Sequence, residues 1–295
     1  MKLIRKGKVK EVYALSDEEL LFKFTDNISV FDKIIPSKIP KKGETLCKTS
    51  AYWFKKIGEA GVKNHFVSCD DSQMIVKRFR ILDKVNPKEG NYLIPLEFIT
   101  RYYLAGSLYD RIKERKVDYH ALGFKCMPKY GEELPEPYFE ITTKFEKFDR
   151  KLDWNEAKTI GGLSAQEIEE IREIILKIDR IIKNEVEKRN LIHVDGKKEF
   201  ALGRDREIYV VDTFGTMDED RWWDKKKYEE GEIVQLSKEF VRQYYRETGY
   251  HAQLMNARKK GVEEPPIPPL PEDMIKKVSE LYIEMYTRIT GLKLD

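Results

Sequence analysis

The stretch Leu191-Ile-His-Val-Asp-Gly-Lys-Lys-Glu-Phe-Ala-Leu-Gly-Arg-Asp-Arg-Glu-Ile-Tyr-Val-Val-Asp212 decides the fold. Apolar and β-branched residues predict strands at Leu191–Val194, Lys198–Leu202 and Glu207–Val211. The polar link Gly203-Arg-Asp-Arg206 is typical of a tight turn. The last two strands therefore form a β-hairpin, which is the starting point for locating both the sheet and the functional residues.

The same hairpin carries charges that can bind a metal. Side chains alternate between the faces of a strand, so Asp195, Lys197 and Glu199 share one face, and Asp212 ends the partner strand. Two carboxylates that converge from paired strands, with a lysine between them, suit a Mg²⁺ ion that bridges nucleotide phosphates. The alternative is a surface hairpin with alternating, solvated charges.

Around the hairpin, the sequence predicts a mixed α+β fold with two parts. The capping box Ser164-Ala-Gln-Glu167 and the apolar stripe that follows predict a helix over Ser164–Lys188. Residues 1–90 are expected to be a β-rich lobe, and residues 91–295 an α/β lobe with C-terminal helices. The other predicted strands are Leu20–Phe24, His65–Cys69, Gln73–Leu82 and Tyr92–Leu104. The other predicted helices are Lys48–Ala60, which Thr45 or Thr49 would cap, Ser107–Lys116, Gln235–Thr248 and a final helix that begins at Pro271 or Glu272 and ends at Gly291. We expect a turn or hinge at Lys84–Asn91 and irregular structure over residues 126–162.

Two further motifs suit anions. In Gly7-Lys-Val-Lys-Glu-Val-Tyr13 the glycine lets the backbone approach phosphates, which Lys8 and Lys10 would neutralise. In Arg101-Tyr-Tyr-Leu-Ala-Gly-Ser107 a guanidinium precedes a predicted helix start that carries a hydroxyl. The alternatives are a solvated basic edge strand for the first motif, and for the second a simple helix cap with Arg101 paired to an acid.

Composition excludes several classes of protein. The chain has 295 residues with 55 Lys+Arg against 52 Asp+Glu, a net charge of +3 that supplies no basic face for nucleic acid. No apolar run approaches the ~18 residues of a membrane span, and the N-terminus has no apolar leader core, so we expect a cytoplasmic protein.

Cys47, Cys69 and Cys126 are far apart in the sequence, which favours reduced thiols over a disulfide framework or a zinc site. The abundance of Lys, Glu and Arg is typical of thermophiles.

Several collinear motifs resemble the SAICAR synthetase family. The resemblance covers nearly the whole chain, in order and with similar spacing. The motifs are Arg5-Lys-Gly-Lys-Val-Lys-Glu-Val-Tyr13, Thr25-Asp-Asn-Ile-Ser-Val-Phe-Asp32, Ile39-Pro-Lys-Lys-Gly43, Ile94-Pro-Leu-Glu-Phe-Ile-Thr-Arg101, Ala105-Gly-Ser107, Thr142-Thr-Lys144, Asp195-Gly-Lys-Lys-Glu-Phe200, Val211-Asp212 and Arg221-Trp-Trp-Asp224.

The resemblance implies a fold and a reaction. The fold is a kinase-like, β-rich N-terminal lobe over an α/β ATP-binding lobe, with the nucleotide between them. The reaction joins L-aspartate to the carboxylate of carboxyaminoimidazole ribonucleotide, driven by the conversion of ATP to ADP and phosphate. The carboxylate is first phosphorylated, and the amine then displaces phosphate. A homodimer is a further expectation.

Site residues also follow from the resemblance by matched position. It implies that Lys8 and Lys10 touch the ATP phosphates, that Glu97 lies near the adenosine, and that Glu199 and Asp212 hold Mg²⁺. The ribonucleotide contacts would be Lys197 and, near its phosphate, Arg101, Ser107 and Arg221. Ser29 and Asp32 would line the substrate cleft, and Asp195 would position Lys197 or the amine.

Departures from the family pattern cluster in loops that should face the substrate. They are Val30, Phe148-Asp-Arg-Lys151, Thr213 and the acidic run Met217-Asp-Glu-Asp220. Extra carboxylates beside the phosphate-binding Arg221 would repel a dianionic phosphate by up to a few kcal/mol if they lined its pocket. Two alternatives therefore accompany the family reaction: a diverged carboxylate–amine ligase with another substrate, and a nucleotide-binding protein without turnover.

Overall fold

The computed structural model describes residues 1–146 and 150–294. Within these ranges the chain has the expected mixed α+β fold, with thirteen strands in three antiparallel sheets and eight α-helices. The strands are β1 (Lys2–Lys6), β2 (Lys10–Ala14), β3 (Glu19–Phe24), β4 (Asn27–Val30), β5 (Lys33–Lys38), β6 (Phe66–Asp70), β7 (Gln73–Lys77), β8 (Tyr92–Tyr103), β9 (Glu133–Thr143), β10 (Lys151–Leu152), β11 (Leu191–Leu202), β12 (Ile208–Val211) and β13 (Asp220–Asp224). The helices are α1 (Lys42–Glu59), α2 (Gly106–Lys113), α3 (Trp154–Gly161), α4 (Ala165–Val186), α5 (Lys225–Glu229), α6 (Glu239–Glu247), α7 (Tyr250–Lys260) and α8 (Glu272–Thr290).

The N-terminal part is a five-stranded sheet covered by one helix. Its strand order is β1-β2-β3-β7-β6, while β4 and β5 form a separate hairpin. Helix α1 packs against β3, β6 and β7. The predicted β-rich start is therefore confirmed, and the predicted strands in this region begin within a residue of the observed ones. The predicted division at residue 90 stays a prediction.

The second sheet is built around β11. The path runs β10-β9-β8-β11-β12, and β13 also pairs with β11. The predicted hairpin is confirmed, because Glu199 pairs with Val211 and Leu202 with Ile208. The two predicted strands at Leu191–Val194 and Lys198–Leu202 are one strand of twelve residues, since the backbone between them is paired with β8.

Some helix boundaries differ from the sequence prediction. Helix α1 begins at Lys42 instead of Lys48, because the left-handed backbone of Lys41, at φ 65°, turns the chain there. Neither Thr45 nor Thr49 is the cap; both are buried inside the helix. The capping box of α4 is confirmed, with Ser164 and Glu167 satisfying each other's backbone N–H groups.

The prediction of irregular structure over residues 126–162 is wrong. This segment contains β9, β10 and α3. Pro135 and Pro137 suggested a loop, but both lie within β9. On one side of β9 they fall where its pairing with β8 changes register, and on the other side β10 is too short to pair with them. Prolines are tolerated there because no ladder needs their missing N–H.

Helix α7 was not predicted, since only three of its eleven residues are buried.

One apolar core runs through both parts of the chain. The stripe on α4 packs onto β11, and Ile171, Ile175, Ile178 and Ile182 are fully buried. The same cluster includes Trp53 from α1. On the core side of β11, the fully buried Lys198 forms an ion pair with Asp179 of α4. No helix in the described ranges is long and apolar enough to cross a membrane.

We expect Ile178→Ala to lower the free energy of unfolding by about 2–5 kcal/mol, because it leaves a cavity at the centre of the α4–β11 contact. Denaturant titration followed by circular dichroism measures the loss. Glu173→Ala, at an exposed position of the same helix, is the control and should change stability by no more than about 0.5 kcal/mol. Equal effects of the two substitutions would contradict this account of the core.

Candidate active site

A cleft of about 1780 Å³ lies between the N-terminal sheet and the sheet built on β11. It brings together residues that are up to 247 positions apart in the sequence, from Ile4 to His251. All twelve candidate residues line it: Lys8, Lys10, Ser29, Asp32, Glu97, Arg101, Ser107, Asp195, Lys197, Glu199, Asp212 and Arg221. The residues predicted from the sequence therefore share one cleft, while the roles assigned to them stay predictions.

Lys197 lies at the centre of a group of three carboxylates. Its Nζ is 2.8 Å from Glu97 Oε1, 3.3 Å from Glu199 Oε1 and 3.3 Å from Glu219 Oε2. Burial by itself would lower the pKa of Lys197, but the charges of Glu219, Glu199 and Glu97 outweigh it and hold that pKa well above its usual value. Lys197 is therefore a charged donor and not a base at neutral pH.

Glu97 belongs to the same cluster. Its β8 position pairs directly with Glu199 on β11. Burial raises the pKa of Glu97 to about 7, even though the ammonium of Lys197 acts in the opposite direction. The contact with adenosine implied for Glu97 stays a prediction, since here the carboxylate lies beside Lys197 and Glu199.

Glu199 and Asp212 face each other across a lysine. Lys144 forms ion pairs with both carboxylates, at 3.5 Å from Asp212 Oδ2, and Lys10 also pairs with Asp212. Burial would raise the pKa of Asp212, but the cations of Lys10 and Lys144 hold it well below its usual value. Lys144 was not among the candidates, although the Thr142-Thr-Lys144 motif of the family resemblance contained it.

This pair of carboxylates fits the donor set of a magnesium ion. The ammonium group of Lys144 lies between them and compensates their charge. Among residues 1–146 and 150–294, no three His, Cys, Asp or Glu side chains are arranged to hold a metal by themselves. Mg²⁺ commonly takes one or two protein carboxylates and completes its shell with water and phosphate oxygens.

The backbone at Asp212 is locally constrained. Asp212 has a positive φ of 62°, which turns its side chain out of β12 at the end of the strand. His65 Nε2–H donates a hydrogen bond to the Asp212 carbonyl oxygen at 3.2 Å, and burial lowers the pKa of His65 to about 3. At neutral pH His65 is therefore uncharged, and its ring proton lies on Nε2, the nitrogen that faces the Asp212 carbonyl.

The opposite end of the cleft presents two guanidinium groups. Arg101 donates to Asp195 Oδ2 at 2.9 Å and to Ser107 Oγ at 3.3 Å, and Arg221 also pairs with Asp195. Gly106 leaves space for Arg221, because a Cβ atom at Gly106 would lie 2.6 Å from Arg221 Nη2. Arg101 is also paired with Glu140, and Arg221 with Glu239, so both guanidinium groups have acidic partners. Next to the Ser107 hydroxyl they form a candidate anion site.

Helix α2 begins differently from the prediction. Its first residue is Gly106 and its N-cap is Ala105, so Ser107 does not cap the helix. The Ser107 hydroxyl instead accepts a hydrogen bond from Arg101 inside the cleft. Ser107 thus belongs to the anion site.

Glu140 is a positioning residue that sequence reasoning missed. It is almost fully buried on β9 and accepts hydrogen bonds from Arg101 Nε at 2.6 Å and Arg111 Nη2 at 2.6 Å, and it also pairs with Lys151. These bonds orient the Arg101 guanidinium towards the cleft. No local motif marked Glu140, because it lies in the segment expected to be irregular.

The acidic run Asp218–Asp220 does not line the anion site as a block. Asp218 is buried against Lys42 Nζ at 2.8 Å and Tyr282 Oη at 2.5 Å. Asp220 accepts from the Gly215 N–H at 2.8 Å and contacts His193 Nε2 at 2.6 Å. Glu219 contacts Lys197 in the cleft. Asp218 is thus paired with a buried cation and Asp220 is hydrogen-bonded inside the fold, while Asp218 and Glu219 also line the cleft.

Helix α6 adds further charges that sequence reasoning missed. Lys238, Glu239, Arg242 and Arg246 line the cleft. Burial would raise the pKa of Glu239, but Arg242 and Arg221 lower it to about 2. The spacing of Glu239, Arg242 and Arg246 on one helix face was the available signal.

The remaining candidates lie at the mouth of the cleft. Lys8 pairs with Asp32 at 2.5 Å, and Ser29 is buried on β4. Asp32 has a positive φ of 65°, in the turn between β4 and β5. Of the departing stretch Phe148-Asp-Arg-Lys151, Phe148 and Asp149 lie outside the described residues.

We expect Asp218→Asn to lower the free energy of unfolding by about 3–5 kcal/mol, because it leaves the fully buried Lys42 without a charged partner. Lys238 and Lys42 outweigh the effect of burial and lower the pKa of Asp218. The stabilisation is therefore complete above the unfolded pKa of ~4 and is lost as the pH falls below it. Denaturant titrations between pH 7 and pH 3 measure both effects.

The matched control for this prediction is Asp273→Asn on α8. Asp273 is largely exposed and its ion pair with Lys277 is 3.6 Å long, so the change should cost less than about 1 kcal/mol. A loss of stability for Asp218→Asn no greater than that of the control would contradict the role of the buried pair.

Comparisons with known proteins agree with this arrangement. A family model described as SAICAR synthetase matches residues 3–257. The phosphoribosylaminoimidazole-succinocarboxamide synthase of Thermoplasma acidophilum is 59% identical over 294 residues, which cover 99% of this chain and 100% of the relative. The SAICAR synthase of Saccharomyces cerevisiae complexed with SAICAR is 26% identical, with a TM-score of 0.76 over 99% of this chain and 96% of that chain. A SAICAR synthetase in complex with ADP is 26% identical, with a TM-score of 0.71 over 99% of each chain. The family match over most of the chain and the close relative together place this protein in the SAICAR synthetase family.

Proposed function

We propose that this chain joins L-aspartate to carboxyaminoimidazole ribonucleotide and forms SAICAR, ADP and phosphate, a step of purine biosynthesis. The observation that carries the proposal is that all twelve candidate residues line one cleft. Family membership makes the chain an ATP-dependent ligase, and its relative from Thermoplasma acidophilum bears the name of this activity. A cytoplasmic location follows from the reaction, and a homodimer stays an expectation.

We assign the ATP phosphates and the metal to the end of the cleft formed by β2, β11 and β12. Lys8 and Lys10 neutralise phosphate charge, and Glu199 and Asp212 hold Mg²⁺. When bound, this ion offsets negative charge on the phosphoryl group that is transferred. The support is the pair of carboxylates that already shares the ammonium of Lys144.

We assign the ribonucleotide phosphate to the opposite end. Arg101 and Arg221 would bind its oxygens together with Ser107, while Asp195 bridges the two guanidinium groups. Asp218 is paired with the buried Lys42 and Asp220 accepts from the Gly215 N–H, which supports retention of a phosphate-bearing substrate despite the acidic run. Ser29 and Asp32 would line the substrate between the two ends.

Catalysis then consists mainly of holding the reacting groups in position and compensating the negative charge that develops on them. A carboxylate is a poor electrophile, so its oxygen first accepts a phosphoryl group from ATP, and the aspartate amine then displaces phosphate. Lys197 is held in its charged form and would stabilise the negative charge that develops on the reacting carboxylate. Asp195 would position Lys197 or the incoming amine. No side chain acts as a covalent nucleophile.

Phosphate release tests the function. The purified chain is incubated with ATP and Mg²⁺ while carboxyaminoimidazole ribonucleotide and L-aspartate are each added and withheld, at two temperatures. We expect release only when both are present. Release with a different carboxylate or amine would point to a diverged ligase, and tight ATP binding without release on any pair would point to a nucleotide-binding protein without turnover.

Asp212→Asn tests the metal assignment. We expect kcat to fall on the order of 100-fold while the fold is retained, because asparagine tolerates the positive φ of this position but supplies no charge to the metal. Steady-state kinetics over a range of Mg²⁺ concentrations measure the effect. Asp205→Asn, at an exposed position in the turn of the same hairpin, is the control and should leave kcat unchanged. A near wild-type rate for Asp212→Asn would rule out the assignment.

A further inference from the structure

Two of the three cysteines are neighbours in the fold although they are 22 residues apart in the sequence. Cys47 lies on α1 and Cys69 on β6, and their Sγ atoms are 3.3 Å apart. Cys47 is fully buried, whereas Cys69 is partly exposed. Cys126 is exposed and lies between the 3₁₀ turn His120–Leu122 and β9. The chain thus contains one adjacent thiol pair and one separate thiol.

We propose that Cys47 and Cys69 form a reversible disulfide that fastens α1 to the N-terminal sheet. The expectation of three reduced thiols rested on their spacing in the sequence, which did not reveal this contact. A disulfide bond is about 2.0 Å long, so the two sulfur atoms must approach by roughly 1.3 Å. The two sulfur atoms are already adjacent, and they lie on elements that pack against each other.

The surroundings favour Cys69 as the thiol that reacts first. It is the more exposed member of the pair, and its Sγ lies within hydrogen-bonding distance of Cys47 Sγ, where either thiol can be the donor. That bond, together with the cations of Lys55 and Lys48, lowers the pKa of Cys69 in spite of its partial burial. The same contact and burial raise the pKa of Cys47, which stays protonated until its partner has reacted.

The oxidant is a small disulfide such as oxidised glutathione. The Cys69 thiolate attacks one of its sulfur atoms, forming a mixed disulfide and releasing the first glutathione thiolate. Cys47 then loses its proton to solvent and attacks Cys69 Sγ, which releases the second glutathione. The protein gives up two electrons and two protons, and the small disulfide is reduced to two thiols.

The bond would act on the part of the fold that supports the cleft. Helix α1 packs against three strands of the N-terminal sheet and against α8. Leu46, next to Cys47, lines the cleft, and Trp53 of the same helix donates a hydrogen bond to the Gly215 carbonyl at 3.0 Å. β6 is the edge strand of its sheet, so it has a neighbouring strand on one side only. A covalent link between α1 and β6 would therefore restrain the edge strand of the N-terminal sheet, which is paired on one side only.

Thiol counting and peptide mapping test the pair directly. The full chain is equilibrated with oxidised or reduced glutathione and then denatured, and free thiols are counted. Three thiols are expected after reduction and at most one after oxidation, since Cys47 and Cys69 are linked and the exposed Cys126 either stays free or carries a glutathione. Proteolysis without reductant should yield one linked peptide that contains Cys47 and Cys69. Three free thiols after oxidation, or a link through Cys126, would overturn the proposal.

Thermal unfolding tests the fastening role. The oxidised wild type should melt about 3–6 °C above the reduced protein, because the link restricts the unfolded chain. Reductant should reverse the shift, and Cys69→Ser should abolish it while still folding, since this residue is partly exposed. Cys126→Ser is the matched control and should keep both the link and the shift. A linked protein without a rise in Tm, or a shift that persists in Cys69→Ser, would overturn the role in stability.

Discussion

The alternation of side chains along β11 is the constraint on which the rest of the structure depends. One face of this strand directs Asp195, Lys197 and Glu199 into the cleft, and the other buries Lys198 against α4. Because β11 pairs with β8, β12 and β13, a shift of one residue would exchange the two faces and disrupt three pairings at once. The arrangement of charges in the cleft is thus secured by the hydrogen bonds of the sheet.

A strand with period two explains why much of the site could be predicted. Asp195, Lys197 and Glu199 were found from spacing alone, and Asp212 from the end of the partner strand. Glu140 and Lys198 could not be found in this way, because their roles arise from partners on distant elements. The start of α1 was missed for a local reason: the left-handed residue that sets it is a lysine, which carries no turn signal.

The charged residues of the cleft are balanced in local groups. Lys197 is shared by three carboxylates, Glu140 by three cations, and Asp195 by two guanidinium groups. A buried charge is costly unless it is paired, so each group compensates the desolvation of its members. This balance also explains how the chain carries an acidic run next to an anion site, since Asp218 and Asp220 have their own partners deeper in the fold.

The apolar core that is shared by both parts of the chain has a consequence for motion. Residues of the N-terminal sheet, α1, α4, β11 and α8 belong to one buried apolar cluster. A hinge motion that separated the two walls of the cleft would expose this apolar surface to water. We therefore expect ligands to enter and leave through small movements at the rim, such as the exposed Gly7–Lys8 turn, while the base of the cleft stays closed.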